Sequence, residues 1–369
     1  MEYQPFPLIA VSGAPRERGR AYGEQARARI LAGAAHYLEQ IARLGVDAPQ
    51  VERLAQDFLP TIEAFEPAYV EEMRGIAEGA DVPLSSILLV NSRTEILQLA
   101  RRQAGLEDDP DGCTGALALP EATRDGEVIH GQNWDWKAEC VETSVVLRVS
   151  RDDGPDFLTF TEAGALARAG FNAAGVAITA NYLECERDYT QQGIPLPLIR
   201  RKVLESAHLA DAIRCVACTP KSASNNMMLS AAQGFAIDFE CAPDESFPLM
   251  PEDGLIVHAN HWRSTVALSK LRDTGVRSTP DSFYRDWRVE RSLRAKAGDL
   301  TVDDFRAAFF DDFLSPHSVC CPPRANARGN INSTVAMILM RPGAGVMEVI
   351  PMPAENRASE TYTLAVEAA

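Results

Sequence analysis

The sequence predicts a layered α+β fold. A helical texture fills the first part of the chain, strand-like segments begin abruptly after Gly112, and the later helical stretches come in blocks between runs of strands. A strictly alternating parallel sheet would instead place one helix after each strand. With 369 residues the chain is long enough to bury a large core, and the sequence shows no internal repeat, low-complexity tract or long linker.

In chain order, Pro15 is suited to open a helix in which Tyr22, Ile30, Ala34, Tyr37, Leu38 and Ile41 recur at helical spacing among Arg and Glu. A second helix is expected from about Val51 to Phe65. A third, Pro67 to Ala80, ends at Gly79 and Asp81; a fourth starts near Ser85 as N-cap and carries Asn91, Arg93 and Glu95. The acidic, turn-prone run Glu107-Asp108-Asp109-Pro110-Asp111-Gly112 reads as an exposed loop. Strands are then expected at Thr114–Leu119, from Glu127 to His130 after an Asp125-Gly126 turn, and at Val145–Val149, Phe157–Phe160 and Val176–Thr179. Further strands are expected at Met227–Ser230, Phe235–Phe239, Ile256–Ala259, Val335–Met340 and Val346–Ile350. Helices are expected around 196–217, 281–296 and 302–313.

Composition narrows the function classes. A formal charge of -16 opposes attraction to the phosphates of nucleic acids or of an anionic membrane. No basic n-region precedes an apolar run at the start, and nowhere do eighteen apolar residues run together, so a cytoplasmic location is the expectation. The eight cysteines are expected to be mostly reduced core residues.

One cysteine stands apart. If residues 120–126 connect a hairpin, antiparallel pairing sets Cys113 opposite about residue 133, facing Gln132-Asn133-Trp134-Asp135. A thiol directly after a glycine and a turn-prone loop suits self-cleavage of the Gly112–Cys113 bond, with Gly112 leaving room for a contorted backbone. The product is an N-terminal cysteine whose own α-amine, with a pKa of about 7.7–8.0, serves as general base. The other reading of Cys113 is an ordinary packed strand cysteine.

Gly112-Cys113-Thr114 followed by Gly131-Gln132-Asn133-Trp134-Asp135 resembles the acyl-CoA:6-aminopenicillanate (isopenicillin N) acyltransferase family of N-terminal-nucleophile hydrolases. Gly13, Gly19 and Gly23, Gly75-Ile76-Ala77-Glu78-Gly79, Arg93-Thr94-Glu95, and Phe171-Asn172-Ala173-Ala174-Gly175-Val176 with Asn181 resemble it in order. So do His258-Ala259-Asn260-His261, Ser282 with Arg285, Val319-Cys320 and Ser333-Thr334-Val335. The resemblance implies a four-layer αββα sandwich, self-cleavage before Cys113, and a heterodimer of residues 1–112 and 113–369 that together form one structural domain. It further implies Cys113 as nucleophile, Asp135 as the carboxylate holding the new α-amine, and Asn260 as oxyanion donor. Ser333 is implied in acyl transfer and Arg285 as partner of a buried carboxylate. Gln132, Asn133 and Asn181 are expected to support the site. Related choloylglycine-type hydrolases carry an arginine where Gln132 stands, so anionic groups are expected to be less well anchored there.

Other signals are read as structural. His258 and His261, three apart on a strand, would face opposite sides and not share a metal. Cys215-Val216-Ala217-Cys218 sits in a helical pattern, Cys320-Cys321 reads as two reduced thiols, and Arg285, Arg288, Arg291 and Arg294 read as a solvated helix face. The expectation is therefore a cofactor-free, metal-free cysteine amidohydrolase acting on a linear acyl-amide. Acyl transfer from acyl-CoA to an amine such as 6-aminopenicillanate is the alternative within enzymes. A thiol–imidazole enzyme using His258 or His261 and a non-catalytic, uncleaved binding protein are the remaining rivals.

Overall fold

The computed structural model describes residues 3–105, 112–326 and 329–366. The acidic run expected as a loop lies outside them except for Gly112. The first part holds strand β1 (Leu8–Val11) and helices α1 (Pro15–Ala42), α2 (Ala48–Gln56), α3 (Leu59–Phe65), α4 (Pro67–Ala80), α5 (Leu84–Asn91) and α6 (Arg93–Gln103). Then follow β2 (Cys113–Ala118), β3 (Ile129–Lys137), β4 (Ser144–Val149), β5 (Phe157–Glu162), β6 (Ala169–Asn172) and β7 (Val176–Tyr182). Helices α7 (Leu196–Leu204) and α8 (Leu209–Cys218) precede β8 (Asn225–Ala231), β9 (Phe235–Cys241), β10 (Ser246–Leu249) and β11 (Leu255–His258). The chain closes with α9 (Thr265–Lys270), α10 (Ser282–Arg294), α11 (Val302–Phe309), β12 (Arg324–Ala325), β13 (Ile331–Arg341), β14 (Val346–Pro351) and β15 (Glu360–Thr363).

Among the described residues the strands form an eight-stranded sheet, β1-β4-β5-β6-β7-β8-β9-β10, and a seven-stranded sheet, β11-β2-β3-β13-β14-β15 with β12 on β13. Leu117 and Ile256 of one sheet, with Val128 just before β3, pack on Met228 and Ala236 of the other, so apolar side chains close the gap between them. On the outer face of the smaller sheet, Val289 and Leu293 of α10 and Phe305 and Phe309 of α11 cover Ala116, Ala118, Ile129 and Met337. Apolar residues of α1 and α4–α8 share a core with β4–β9 of the larger sheet. The order helices–sheet–sheet–helices is the expected αββα sandwich. Among the described residues no helix is long and apolar enough to cross a membrane.

The expected third helix, Pro67–Ala80, forms as written, ending at Asp81 in the left-handed region with φ 56°. Ser85 is not an N-cap: α5 begins at Leu84 behind Pro83, and Arg93 opens a separate helix. Gly19, Gly23, Gly75 and Gly79 let α1 and α4 cross almost backbone to backbone. A Cβ on Gly19 would lie 2.1 Å from the Glu72 carbonyl oxygen, and one on Gly75 2.1 Å from that of Arg16. Beside this crossing the Glu72 carboxylate is clamped by Arg18 at 2.7 Å and by both terminal nitrogens of Arg201 from α7, at 3.0 and 2.9 Å. All three side chains are buried, so each charge depends on the others. β1 is held differently, by parallel pairing of Leu8 to Val11 with Val146 to Val149 at the edge of the larger sheet.

Candidate active site

The site starts from the β2–β3 pair. Cys113 is the first residue of β2, and its cross-strand partner is Trp134, one position from the expected register. Because side chains alternate with a period of two, that one step decides which neighbours share a face. Trp134 and Gln132 lie on the thiol's side, between the two sheets; Asn133 and Asp135 point the other way. Gln132 Nε2 donates to Ala180 O at 2.6 Å and to Asn181 Oδ1 at 2.8 Å, and Asn181 Nδ2 donates to His258 O at 2.8 Å. This amide relay ties β3 to β7 and β11 behind the thiol. Asn133, expected at the site, instead donates to the carbonyls of Phe309 and Val319 at 2.8 and 2.9 Å under α11. The expectation that all four residues would gather at the thiol is corrected by this alternation.

The Gly112–Cys113 peptide is gripped at both ends. The Cys113 N–H donates to Asn260 Oδ1 at 2.8 Å, and Arg285 Nη2 donates to the same oxygen at 2.9 Å. Two donors on one atom fix which way the amide faces. Asn260 Nδ2 donates to Tyr182 O at 2.9 Å. Arg285 Nη1 reaches Cys113 O at 2.8 Å and Thr114 Oγ1 at 2.9 Å, while its Nε reaches Asp281 at 2.7 Å. On the glycine side, the Asp135 N–H donates to Gly112 O at 2.9 Å. The Asp135 carboxylate is so close to Gly112 that a Cβ there would lie 2.6 Å from Oδ2. Gly112 is therefore required for space.

Burial pushes the Asp135 pKa up to about 6, against the opposing pull of Arg285 and of the Thr334 hydroxyl, which donates to it at 2.5 Å. Ser333, next to Thr334 on β13, hydrogen-bonds Cys321 O at 3.0 Å and shares a cavity of about 10 Å³ with Gly112, Asp135 and Asp281. On the opposite side a cavity of about 30 Å³ is lined by Cys113, Arg93, Glu162, Arg168, Tyr182, Arg200 and Asn225. Gly112 thus borders the space that holds Asp135 and Asp281, and Cys113 borders the other, which holds Glu162 and three arginines.

Arg285 is buried completely, so the reading of residues 285–294 as one solvated face holds only for its outer members. There Arg288 pairs with Asp311 and Arg291 lies over the Trp287 ring at 5.0 Å. The two histidines do not face opposite ways either: β11 ends at His258, and its ring stacks on that of His261 at 6.3 Å. His258 Nε2 is 2.8 Å from Glu240, and Ser282 Oγ joins the His261 ring, at 2.8 Å, to the Asn260 N–H, at 2.7 Å. All eight cysteines are free thiols.

Sequence reasoning missed Thr334 as a partner of Asp135, and Asp281, Tyr182, Arg200 and Asn225 as neighbours of the peptide. Thr334 stands inside the Ser333-Thr334-Val335 motif, and alternation along β13 would have placed it opposite Asp135, its observed partner. The others carry no local signal.

The chain has relatives among known proteins. The chain is 26% identical over 359 residues, 96% of its own length and 95% of the relative's, to the 40 kDa form of acyl-coenzyme A:6-aminopenicillanic-acid-acyltransferase from Emericella nidulans. It is 24% identical to an uncharacterized protein of Archaeoglobus fulgidus, over 84% of this chain but 58% of that one. The crystal structure of a mutant conjugated bile acid hydrolase from Clostridium perfringens superimposes with a TM-score of 0.50 at 13% identity, covering 68% of this chain and 92% of that one, a likeness of fold. Residues 122–350 match the model of the acyl-coenzyme A:6-aminopenicillanic acid acyl-transferase family, and the chain belongs to that family.

Proposed function

We propose that the chain is a self-processing N-terminal-cysteine amidohydrolase. The observation that carries this reading is the Gly112–Cys113 peptide held between Asp135 and Asn260, with its thiol on a separate cavity. In processing, the Cys113 thiol attacks the Gly112 carbonyl carbon, the C–N bond breaks, and the acyl group passes from nitrogen to sulfur. Water then hydrolyses the thioester, leaving residues 1–112 and 113–369 as two chains of one domain. The Asp135 N–H already donates to the oxygen that becomes the oxyanion. Once free, the Cys113 amine retains Asn260 Oδ1 as acceptor and gains the Asp135 carboxylate as counter-charge.

In turnover that amine takes the thiol proton, sulfur attacks the substrate amide carbonyl, and the leaving amine is protonated. Asn260 Nδ2 uses one N–H on Tyr182 O and has a second for the substrate oxyanion, a donor whose removal costs about 3–4 kcal/mol of transition-state stabilisation. Ser333 and Arg285 support the Asp135 and Asn260 sides respectively. Water completes the cycle without cofactor or metal.

Denaturing electrophoresis tests the processing step. Purified protein should run as fragments of 112 and 257 residues (369 − 112 = 257), and Cys113→Ala as one full-length band. A single intact band from both would sink the proposal and favour an uncleaved binding protein. A second reading, acyl transfer, is favoured by the acyltransferase name of the relative aligned over nearly the whole chain. An acyl-amide supplied with and without an amine acceptor separates the two, since product formed only with acceptor or with an acyl-CoA ester would make transfer the activity.

A further inference from the structure

The thiol-side cavity holds more positive charge than its surroundings neutralise. Arg93 and Arg168 share the carboxylate of Glu162, at 2.7 and 3.3 Å. Arg200, from α7, lines the same cavity and is 6% exposed, yet its Nε has no hydrogen-bond partner and among the described residues no ion pair reaches its guanidinium. Glu95, the other buried acid near it, is occupied at 3.1 Å by the Leu196 N–H and is itself pushed toward its neutral form by burial. Burial and the adjacent Arg168 and Arg93 push the Arg200 pKa down to about 9, as expected of a cation without a counter-charge of its own. Asn225, the first residue of β8, faces the same cavity fully buried, with neither its Oδ1 nor its Nδ2 hydrogen-bonded. Leaving a buried amide or guanidinium unsatisfied is costly, and selection for stability alone would remove both.

We propose that Arg200 and Asn225 form an anion subsite beside Cys113, and that the amide acted on carries a carboxylate on the part seated there. A guanidinium presents paired donors that match a carboxylate's two oxygens, and the Asn225 amide adds one more donor. The cavity, at about 30 Å³, is the size of a single water, so seating a carboxylate requires its wall to yield. Arg200, which no ion pair among the described residues holds, is the part of that wall that loses no such bond by moving. The substrate class rests on the amidase reading, whereas the subsite is testable without turnover.

Alkylation of Cys113 by iodoacetate and by iodoacetamide, followed peptide by peptide by mass spectrometry, provides that test. In both reactions sulfur bonds to the reagent methylene, iodide leaves and the thiol proton passes to solvent; the reagents differ in charge and hardly in size. The iodoacetate-to-iodoacetamide rate ratio at Cys113 should exceed that at exposed Cys218 by about tenfold. Arg200→Gln should lower the Cys113 ratio to that of Cys218, and Arg200→Lys should retain part of it, thermal melts confirming that both variants are folded. Equal ratios at the two cysteines, or equal slowing of both reagents in Arg200→Gln, would overturn the subsite; the latter would assign Arg200 to stabilising the thiolate. A turnover arm compares N-acylglycines with the matching N-acylglycinamides, where Arg200→Gln should raise KM for the acids alone. Should neither be turned over while the alkylation ratio stands, the amidase reading fails and the anion subsite remains.

Discussion

Gly112 is the residue at which the proposed cleavage meets the Asp135 carboxylate. A methyl group at this position would meet Asp135 Oδ2 at 2.6 Å. Gly112→Ala should push the carboxylate aside and slow processing by about tenfold or more, read as persistence of the full-length band, because a displacement near 1 Å at a reacting centre costs that much or more. Asp135 makes a separate prediction about pH. Its pKa is about 4 in the unfolded chain and about 6 in the fold, so the folded state keeps its proton longer. The contribution of Asp135 to stability is therefore fully present below about pH 4 and is lost by about pH 6, an effect on the order of 2–3 kcal/mol. In the Cys113→Ala background, Asp135→Asn should remove this contribution, so that the stability difference between pH 4 and pH 7 shifts by that amount and the variant is the more stable of the two at pH 7, as measured by urea unfolding at pH 4 and pH 7. An unchanged slope would place the carboxylate in contact with water.

Among the elements of the described residues, most of the long ones are legible in the sequence, and of the five four-residue strands β11 alone is. Pro67–Ala80 carries a proline start, helical periodicity and an Asp81 stop, and it forms as expected. β1, β6, β10 and β15 are four residues each, too short for alternation to rise above chance. The β2–β3 hairpin is legible, but its pairing differs from the expected register by one position because the connection, with a 3₁₀ turn at Pro120–Ala122, spans residues 119–128 where 120–126 was expected. Arg200 and Arg201 mark the limit at the site. Adjacent in sequence and identical in type, one is clamped to Glu72 and Glu205 while the other faces the thiol cavity unpaired. Only the packing of α7 distinguishes them. The α1–α4 crossing yields a mutational test: Gly75→Ala places a Cβ 2.1 Å from Arg16 O and should cost ~2–3 kcal/mol, seen as a lower urea midpoint. A neutral result would mean that the helices can part without loss.

For the whole molecule, the helical first part and the strand-rich remainder share one core. Glu72 of α4 sits between Arg18 of α1 and Arg201 of α7, joining residues on either side of the 112–113 bond. Glu72→Ala strands the buried Arg18 guanidinium and leaves Arg201 with Glu205 alone, and should cost about 3–5 kcal/mol, whereas a surface pair such as Arg20–Glu24 should matter little. Processed fragments should accordingly elute together on native size exclusion and separate only in denaturant. The family resemblance spans both parts, and the four layers it implies are those observed.

β1 has a consequence for production of the larger fragment alone. Leu8–Val11 caps the outer edge of β4, whose other edge is occupied by β5. A transcript encoding only residues 113–369 would release a polypeptide with that margin unguarded, ready to recruit a strand from a sister copy. Such a preparation should sediment as insoluble assemblies, and simultaneous synthesis of residues 1–112 should rescue it by supplying the missing edge in trans.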